Sequence, residues 1–234
     1  MALVFWAIPA TYAACAILFQ LFNLGNGYQA ELSCSRVSLV HHILATIFGL
    51  LVHYEHFAPI QTEAGLFAPS SDFPSAVLLQ HFNIGYFLYD TVHVAVWDQR
   101  WMVHHLVAIA GYASSEVANV YSLANAVNTW VTEVGSLMYS AYLIHRTDSM
   151  YVAFVLCYTA SRLYFAVWSF RVCGFAWEGM RGRSQFSYPP WAPYCVWLLQ
   201  FSLLSVNLIF AFTHCKKLWK RYARGGGKAK ERED

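Results

Sequence analysis

Ten histidines lie in a chain that is only 12% charged, and several of them fall at helical spacing. His42, Thr46, Gly49, His53 and His56 follow steps of four, three, four and three, which puts them on one stripe of a helix. His41 lies about a hundred degrees round from that stripe. Tyr86, Asp90, His93 and Trp97 repeat steps of four, three and four, so Asp90 and His93 can meet one turn apart. His104 and His105 stand side by side in WMVHHLV and face different directions. Asn125, Thr129, Thr132, Ser136 and Ser140 share a face, with Asn128 nearby and Glu133 beside it, and Arg162 sits inside LCYTASRLYFAVW.

A neutral imidazole beside a carboxylate can take a proton from an amine or hydroxyl, or receive an acyl group, in acyl transfer. His104, His105, Asp90 and Glu133 are the candidate catalytic set for that chemistry, Asp90 or Glu133 orienting an imidazole. His42, His93, Asn125, Asn128 and Arg162 are candidate substrate contacts, Arg162 anchoring a phosphate or balancing charge. The plainer reading is that small polar residues glue helices together, and it fits Thr129, Ser136 and Ser140 well. A di-iron reading needs clustered histidine boxes. Here His53 and His56 form only an HxxH pair, His41-His42 and His104-His105 are bare doublets, and no HxxHH follows. No metal and no other cofactor is therefore expected. The six cysteines, at 15, 34, 157, 173, 195 and 215, form no Cys-x-x-Cys pair and read as packing residues.

The elements that hold these residues follow from composition. The chain is 58% hydrophobic with a mean hydropathy of +0.39, and its apolar stretches recur at the length of about twenty residues that a bilayer demands. Backbone polar groups in lipid must be satisfied within the segment, and no pattern of short alternating strands competes. The expected fold is all-α, a polytopic transmembrane bundle of about six or seven spans. Candidate spans are residues 2–23, 38–56, 76–97, 102–122, 125–145, 149–172 and 193–215, divided by turns such as NLGNG and SSDFP. The first reads as a membrane helix, since no basic segment precedes its apolar run. The polar GYASSEVANVYSLANAVN marks a shortened or broken helix between the fourth and fifth spans. Ionisable groups inside such spans cost several kcal/mol unless paired or facing a cavity. The stripes of spans two to six are therefore expected to converge on a polar interior, where Arg162 pairs with Glu133 or Asp90.

Charge asymmetry sets the orientation. Arg36, Arg100, Arg146 and the KKLWKRYARGGGKAK tail fall on one side and the acidic 57–75 loop on the other. The positive-inside rule then puts the N-terminus out and the C-terminus in the cytosol, against which Arg171, Arg181 and Arg183 dissent. The tail carries nothing apolar to bury beyond Tyr222 and reads as disordered.

The order YFLYD, DQR, WMVHHLV, SSEVANVY and NTWVTEV resembles the TLC-domain family, over about residues 31–218. The run GYFLYD, MVHHLV, SSEVAN is most similar to the small TLC-domain-containing proteins, particularly the type-5 kind. The resemblance implies three parts: an N-terminal helix and loop over 1–30, the TLC-like domain over 31–218, and a basic tail over 219–234. It implies a protein of lipid homeostasis in the endoplasmic reticulum membrane, with the plasma membrane as the alternative. Membrane lipids are the expected partners, nucleic acid is not, and no protein partner is indicated. By the same resemblance, His104 and His105 match the histidine pair implicated in acyl transfer by ceramide synthases, and Asp90 matches an acidic position of the preceding helix. Acyl-CoA would then be the co-substrate of an N-acyltransferase. Ceramide synthases carry a further acidic motif on the next helix, where this chain has Val131, Thr132 and Glu133, so only Glu133 can stand in. Lipid binding or handling in the cavity is the first reading, N-acyl transfer the second, and a membrane chaperone or cargo receptor the third.

Overall fold

The computed structural model describes residues 6–97, 99–182 and 188–223, with the side chains of 93–101 outside the described residues. Nine helices and no strand occur among the described residues. In chain order they are α1 (Ala7–Gly25), α2 (Ala30–Glu55), the short α3 (Phe57–Ile60) and α4 (Glu63–Leu66), α5 (Pro74–Trp97), α6 (Gln99–Ala118), α7 (Ser122–Ile144), α8 (Asp148–Met180) and α9 (Ala192–Ala223). A 3-10 turn, Ser70–Asp72, precedes α5. The seven long helices correspond to the seven stretches marked by hydropathy. Among the described residues, α1, α2, α8 and α9 are long and apolar enough to cross a bilayer by length and composition.

Six of the long helices close into a ring. α2 packs on α7, α7 on α8, α8 on α9, α9 on α6, α6 on α5, and α5 back on α2, while α1 lies outside the ring against α5 and α2. The polarity is inverted relative to a soluble domain. Ile17, Leu51, Val167, Phe170, Ile209 and Phe212 point outward, and His41, Asn83, Glu133, Arg162 and Gln200 are buried. Lipid tails are as apolar as leucine, so helix association in a membrane relies on close packing and interhelical hydrogen bonds. The interior supplies them. Asn83 on α5 donates to Thr129 on α7 at 2.8 Å and to the Tyr112 hydroxyl on α6 at 3.2 Å, and Tyr112 and Thr129 bond each other at 2.9 Å.

Hydropathy located the helices better than their ends. α2 begins eight residues before the expected 38, because its first turns are polar yet still helical. There Ser33 and Ser35 return their hydroxyls to the carbonyls of Gln29 and Glu31 at 2.9 and 3.0 Å, satisfying themselves within the helix. α8 runs 33 residues, about 50 Å at 1.5 Å per residue, well beyond the hydrocarbon core. α9 likewise continues to Ala223, so residues 219–223 of the basic segment are helix. The tail beyond Ala223, together with Arg183, lies outside the described residues.

The break expected between the fourth and fifth spans falls at residues 119–121. Asn119 (φ 53°) and Tyr121 (φ 74°) both adopt the left-handed region, which asparagine tolerates and a bulky aromatic residue does not without support. The support is a cap built from the 57–73 segment. The Tyr121 amide donates to the Leu66 carbonyl at 3.2 Å, the Ser70 amide to the Asn119 carbonyl at 2.8 Å, and the Phe67 and Tyr121 rings meet edge-on at 4.5 Å. Arg171 on α8 ties into the same cap through Gln61, at 2.7 Å to Oε1. Arg171 therefore sits at the end of the acidic loop, opposite Arg36, Arg146 and Arg221. At that other end Arg146 pairs with Glu31 at 2.8 Å, Arg221 with Asp148, and Arg36 with Asn26.

Candidate functional site

Inside the ring is a chamber of about 390 Å³, within the usual range of small-molecule sites. It reaches the surface at Glu31, whose side chain is 67% exposed. α2 contributes Ser38 and His42, α5 contributes Tyr86 and Asp90, α6 contributes His104 and His105, and α7 contributes Glu133, Ser136 and Ser140. Part of each stripe read from the sequence reaches this space: His42, Tyr86, Asp90, Ser136 and Ser140 line it, whereas Thr46, Gly49, His53 and His56 do not. A smaller cleft of about 60 Å³ between α6, α7 and α9 shares Phe87, His104 and Glu133 with the chamber.

Two imidazole–carboxylate pairs face this space, each built across helices. His105 Nε2 on α6 lies 3.3 Å from Asp90 Oδ2 on α5. His42 Nδ1 on α2 bonds Glu133 Oε2 on α7. A carboxylate that engages one ring nitrogen fixes the ring's tautomer and orientation and leaves the other nitrogen to act. The Nδ1 of His105 is buried and makes no hydrogen bond among the described residues. His104 lines both the chamber and the cleft, so the adjacent histidines look in different directions. The Phe87 ring of α5 packs against both, 5.2 Å from the His105 ring and 6.4 Å from that of His104.

Arg162 departs from expectation. Among the described residues it forms no ion pair with Glu133 or Asp90; both carboxylates are taken by histidines. Instead Nη1 donates to the Thr132 carbonyl at 2.6 Å and to Ser161 Oγ at 3.0 Å, Nη2 to Ser136 Oγ at 3.4 Å, and the guanidinium lies 4.0 Å over the Tyr158 ring. It stands behind the chamber wall. Its charge still acts on Glu133 through space.

Asn125 and Asn128 line the cleft but serve the protein. Asn125 donates to Gln80 Oε1 at 2.9 Å. Asn128 and Gln200 exchange amide hydrogen bonds at 2.9 and 3.1 Å, Trp168 donates to Asn128 Oδ1 at 3.0 Å, and Gln200 donates to Ser169 at 2.8 Å. This cluster locks α7, α8 and α9. Gln200→Leu leaves the Asn128 amide half satisfied and is expected to cost about 1–3 kcal/mol, read as a lower unfolding temperature in detergent. His93 and Arg100 have side chains outside the described residues.

Sequence reasoning missed Glu31 and Ser38 as chamber walls, and favoured helix packing for Ser136 and Ser140, which line it. Ser38 precedes His42 by four residues and could have been found on the same stripe; Glu31 lay outside the apolar run and gave no signal.

A polar chamber within a ring of apolar-faced helices defines a multi-pass helical membrane protein. The chain belongs to the TLC domain family, whose model matches residues 31–216. The match spans the six-helix ring and leaves α1 out. Neither a curated protein nor a solved structure matches the chain.

Proposed function

We propose that the protein acts in lipid homeostasis by holding a lipid in the chamber, and the observation that carries this is the chamber itself. Its volume of about 390 Å³, its mixed polar and apolar lining and its opening at Glu31 suit a polar headgroup with part of its chain. Family membership points to lipid as the occupant. Within the family, GYFLYD, MVHHLV and SSEVAN in that order favour the small TLC-domain-containing proteins of the type-5 kind. The endoplasmic reticulum membrane is the proposed location, with the end that bears Arg36, Arg146 and Arg221 in the cytosol.

The two imidazole–carboxylate pairs favour a second reading, acyl-CoA-dependent N-acylation of a lipid amine. The amine nitrogen attacks the thioester carbonyl, His105 or His104 takes the amine proton, the C–S bond breaks, and the thiolate leaves with that proton. Asp90 holds His105 in register for this step.

The test begins with native mass spectrometry of the protein purified in mild detergent. Wild type is expected to carry bound lipid, and Ser38→Trp, which fills the chamber from α2, to carry less by about fivefold or more. Equal lipid on a folded Ser38→Trp would sink the chamber reading. Incubation with long-chain acyl-CoA and a sphingoid base then decides the second. An N-acyl product that falls about 100-fold or more in His105→Ala supports catalysis, and no product from lipid-loaded wild type removes it.

A further inference from the structure

We propose that His41, His42 and Glu133 form a binding site for a divalent transition-metal ion, of the class zinc belongs to, on the inner wall of the chamber. One potential ligand atom from each of the three lies within 4.8 Å of the others; His41 and Glu133 are buried, and the His42 side chain is 12% exposed. The spacing of histidines along the chain gave no sign of this, because the third ligand comes from α7, ninety-one residues after His42.

His41 carries the argument. It is 2% exposed, and among the described residues neither ring nitrogen has a hydrogen-bond partner. Buried polar atoms are paired in nearly all proteins, and an orphaned pair on one ring asks for an explanation. Packing explains the ring's plane and leaves its nitrogens unaccounted for. The ring stacks on Tyr86 at 3.6 Å and 7°, and Phe82 lies 5.0 Å away. Tyr86 is held in turn by its hydroxyl on Ser38 at 3.0 Å. An aromatic sandwich would be filled as well by phenylalanine; only the edge of an imidazole offers a metal ligand.

The donor set suits such an ion. Two imidazoles and one carboxylate are the ligands of many catalytic zinc sites, which keep a further position open for water or substrate, and imidazole selects transition metals over magnesium or calcium. His42 and Glu133 both line the chamber, so the open position faces it. Glu31 at the mouth and Asp90 on the wall add negative charge along the path from solvent, which favours a cation. Among the described residues the opposing charge nearby is Arg162, and its guanidinium is turned to the Thr132 carbonyl and the Tyr158 ring. Zinc ligand atoms sit about 2.0–2.2 Å from the ion and so about 3.4 Å from one another; on binding, His42 and Glu133 part to admit the ion in place of the hydrogen between them, and His41 completes the set.

The full-length protein in detergent, dialysed against a chelator and then freed of it, is titrated with Co²⁺ and its visible absorption followed. Wild type is expected to take up about one equivalent, to develop ligand-field bands, and to lose them when Zn²⁺ is added. His41→Phe keeps a flat ring against Tyr86 and removes the ligand, and it is expected to bind Co²⁺ about tenfold more weakly or worse, as is Glu133→Gln. Failure of wild type to bind Co²⁺ overturns the proposal. So does a folded His41→Phe that binds as wild type does, which would make His41 a packing residue and put the ion elsewhere. Lipid retention, measured on the same samples, reports separately on the chamber reading.

Discussion

Arg162→Leu is expected to destabilise the protein by about 3–5 kcal/mol, the scale seen when one member of a buried charged arrangement is removed. The arginine is 2% exposed. Its guanidinium donates to Thr132 and Ser136, which ties α8 to α7 at two points, and is braced within α8 by Ser161 and the Tyr158 ring. Its loss also withdraws the positive charge that acts on the buried Glu133. Arg162→Lys keeps the charge and loses the fork, and its cost should be smaller. Unfolding in detergent, followed by intrinsic tryptophan fluorescence, measures both. A double-mutant cycle with Glu133→Gln separates the two contributions. Strict additivity would mean that the arginine acts only through its hydrogen bonds, whereas coupling of about 0.5–3 kcal/mol shows the charge at work.

The second large effect is expected at Gly49→Val, about 3 kcal/mol or more. A Cβ at Gly49 would lie 2.8 Å from Trp130 Cβ, 3.2 Å from the Trp130 backbone nitrogen and 3.3 Å from the Ala126 carbonyl oxygen. Two of those three atoms are backbone, so no rotamer change relieves the clash and α2 must move off α7. His42 and Glu133 span that same seam. Gly49→Val should therefore also lower lipid retention, although residue 49 is not among the residues lining the chamber. The control is Gly111→Ala, whose Cβ would meet nothing within 4 Å and which is expected to be neutral or to gain up to about 1 kcal/mol from helix propensity. Thermal unfolding of the two variants side by side checks the contrast. Similar midpoints would mean that the α2–α7 contact is looser than its geometry indicates.

Apolar length made the seven long helices legible, and the period of three to four residues made their polar faces legible. Neither could name partners. Asp90 could be placed one turn from His93, whose side chain lies outside the described residues, but no spacing pointed to the ring of His105 on the following helix, which Asp90 meets. Arg162 needed an anion by any reading of the sequence. The obvious carboxylate, Glu133, was already engaged by His42, and a backbone carbonyl with two hydroxyls and an aromatic face took the anion's place. Asn128 looked like a ligand contact because its amide partner, Gln200, stands seventy-two residues away. Period fixes a face; only tertiary structure decides what that face meets. The ends of α8 and α9 were illegible for another reason, since hydropathy marks where lipid begins and these helices continue past it.

The bond between His42 and Glu133 also bears on how the chain is made. A glutamate arriving alone in lipid is costly, and an arginine at a helix centre adds about 2.5–3.5 kcal/mol to insertion. Synthesis runs from α2 toward α9, so His42 has already emerged when Glu133 arrives, Thr132 and Ser136 when Arg162 arrives, and Asn128 when Gln200 arrives. Each of these late polar residues finds its partner waiting in an earlier helix. The order of residues along the chain thus provides each late polar group with a partner as it enters, and Arg162 and Gln200 arrive on helices that are themselves apolar enough to cross a bilayer.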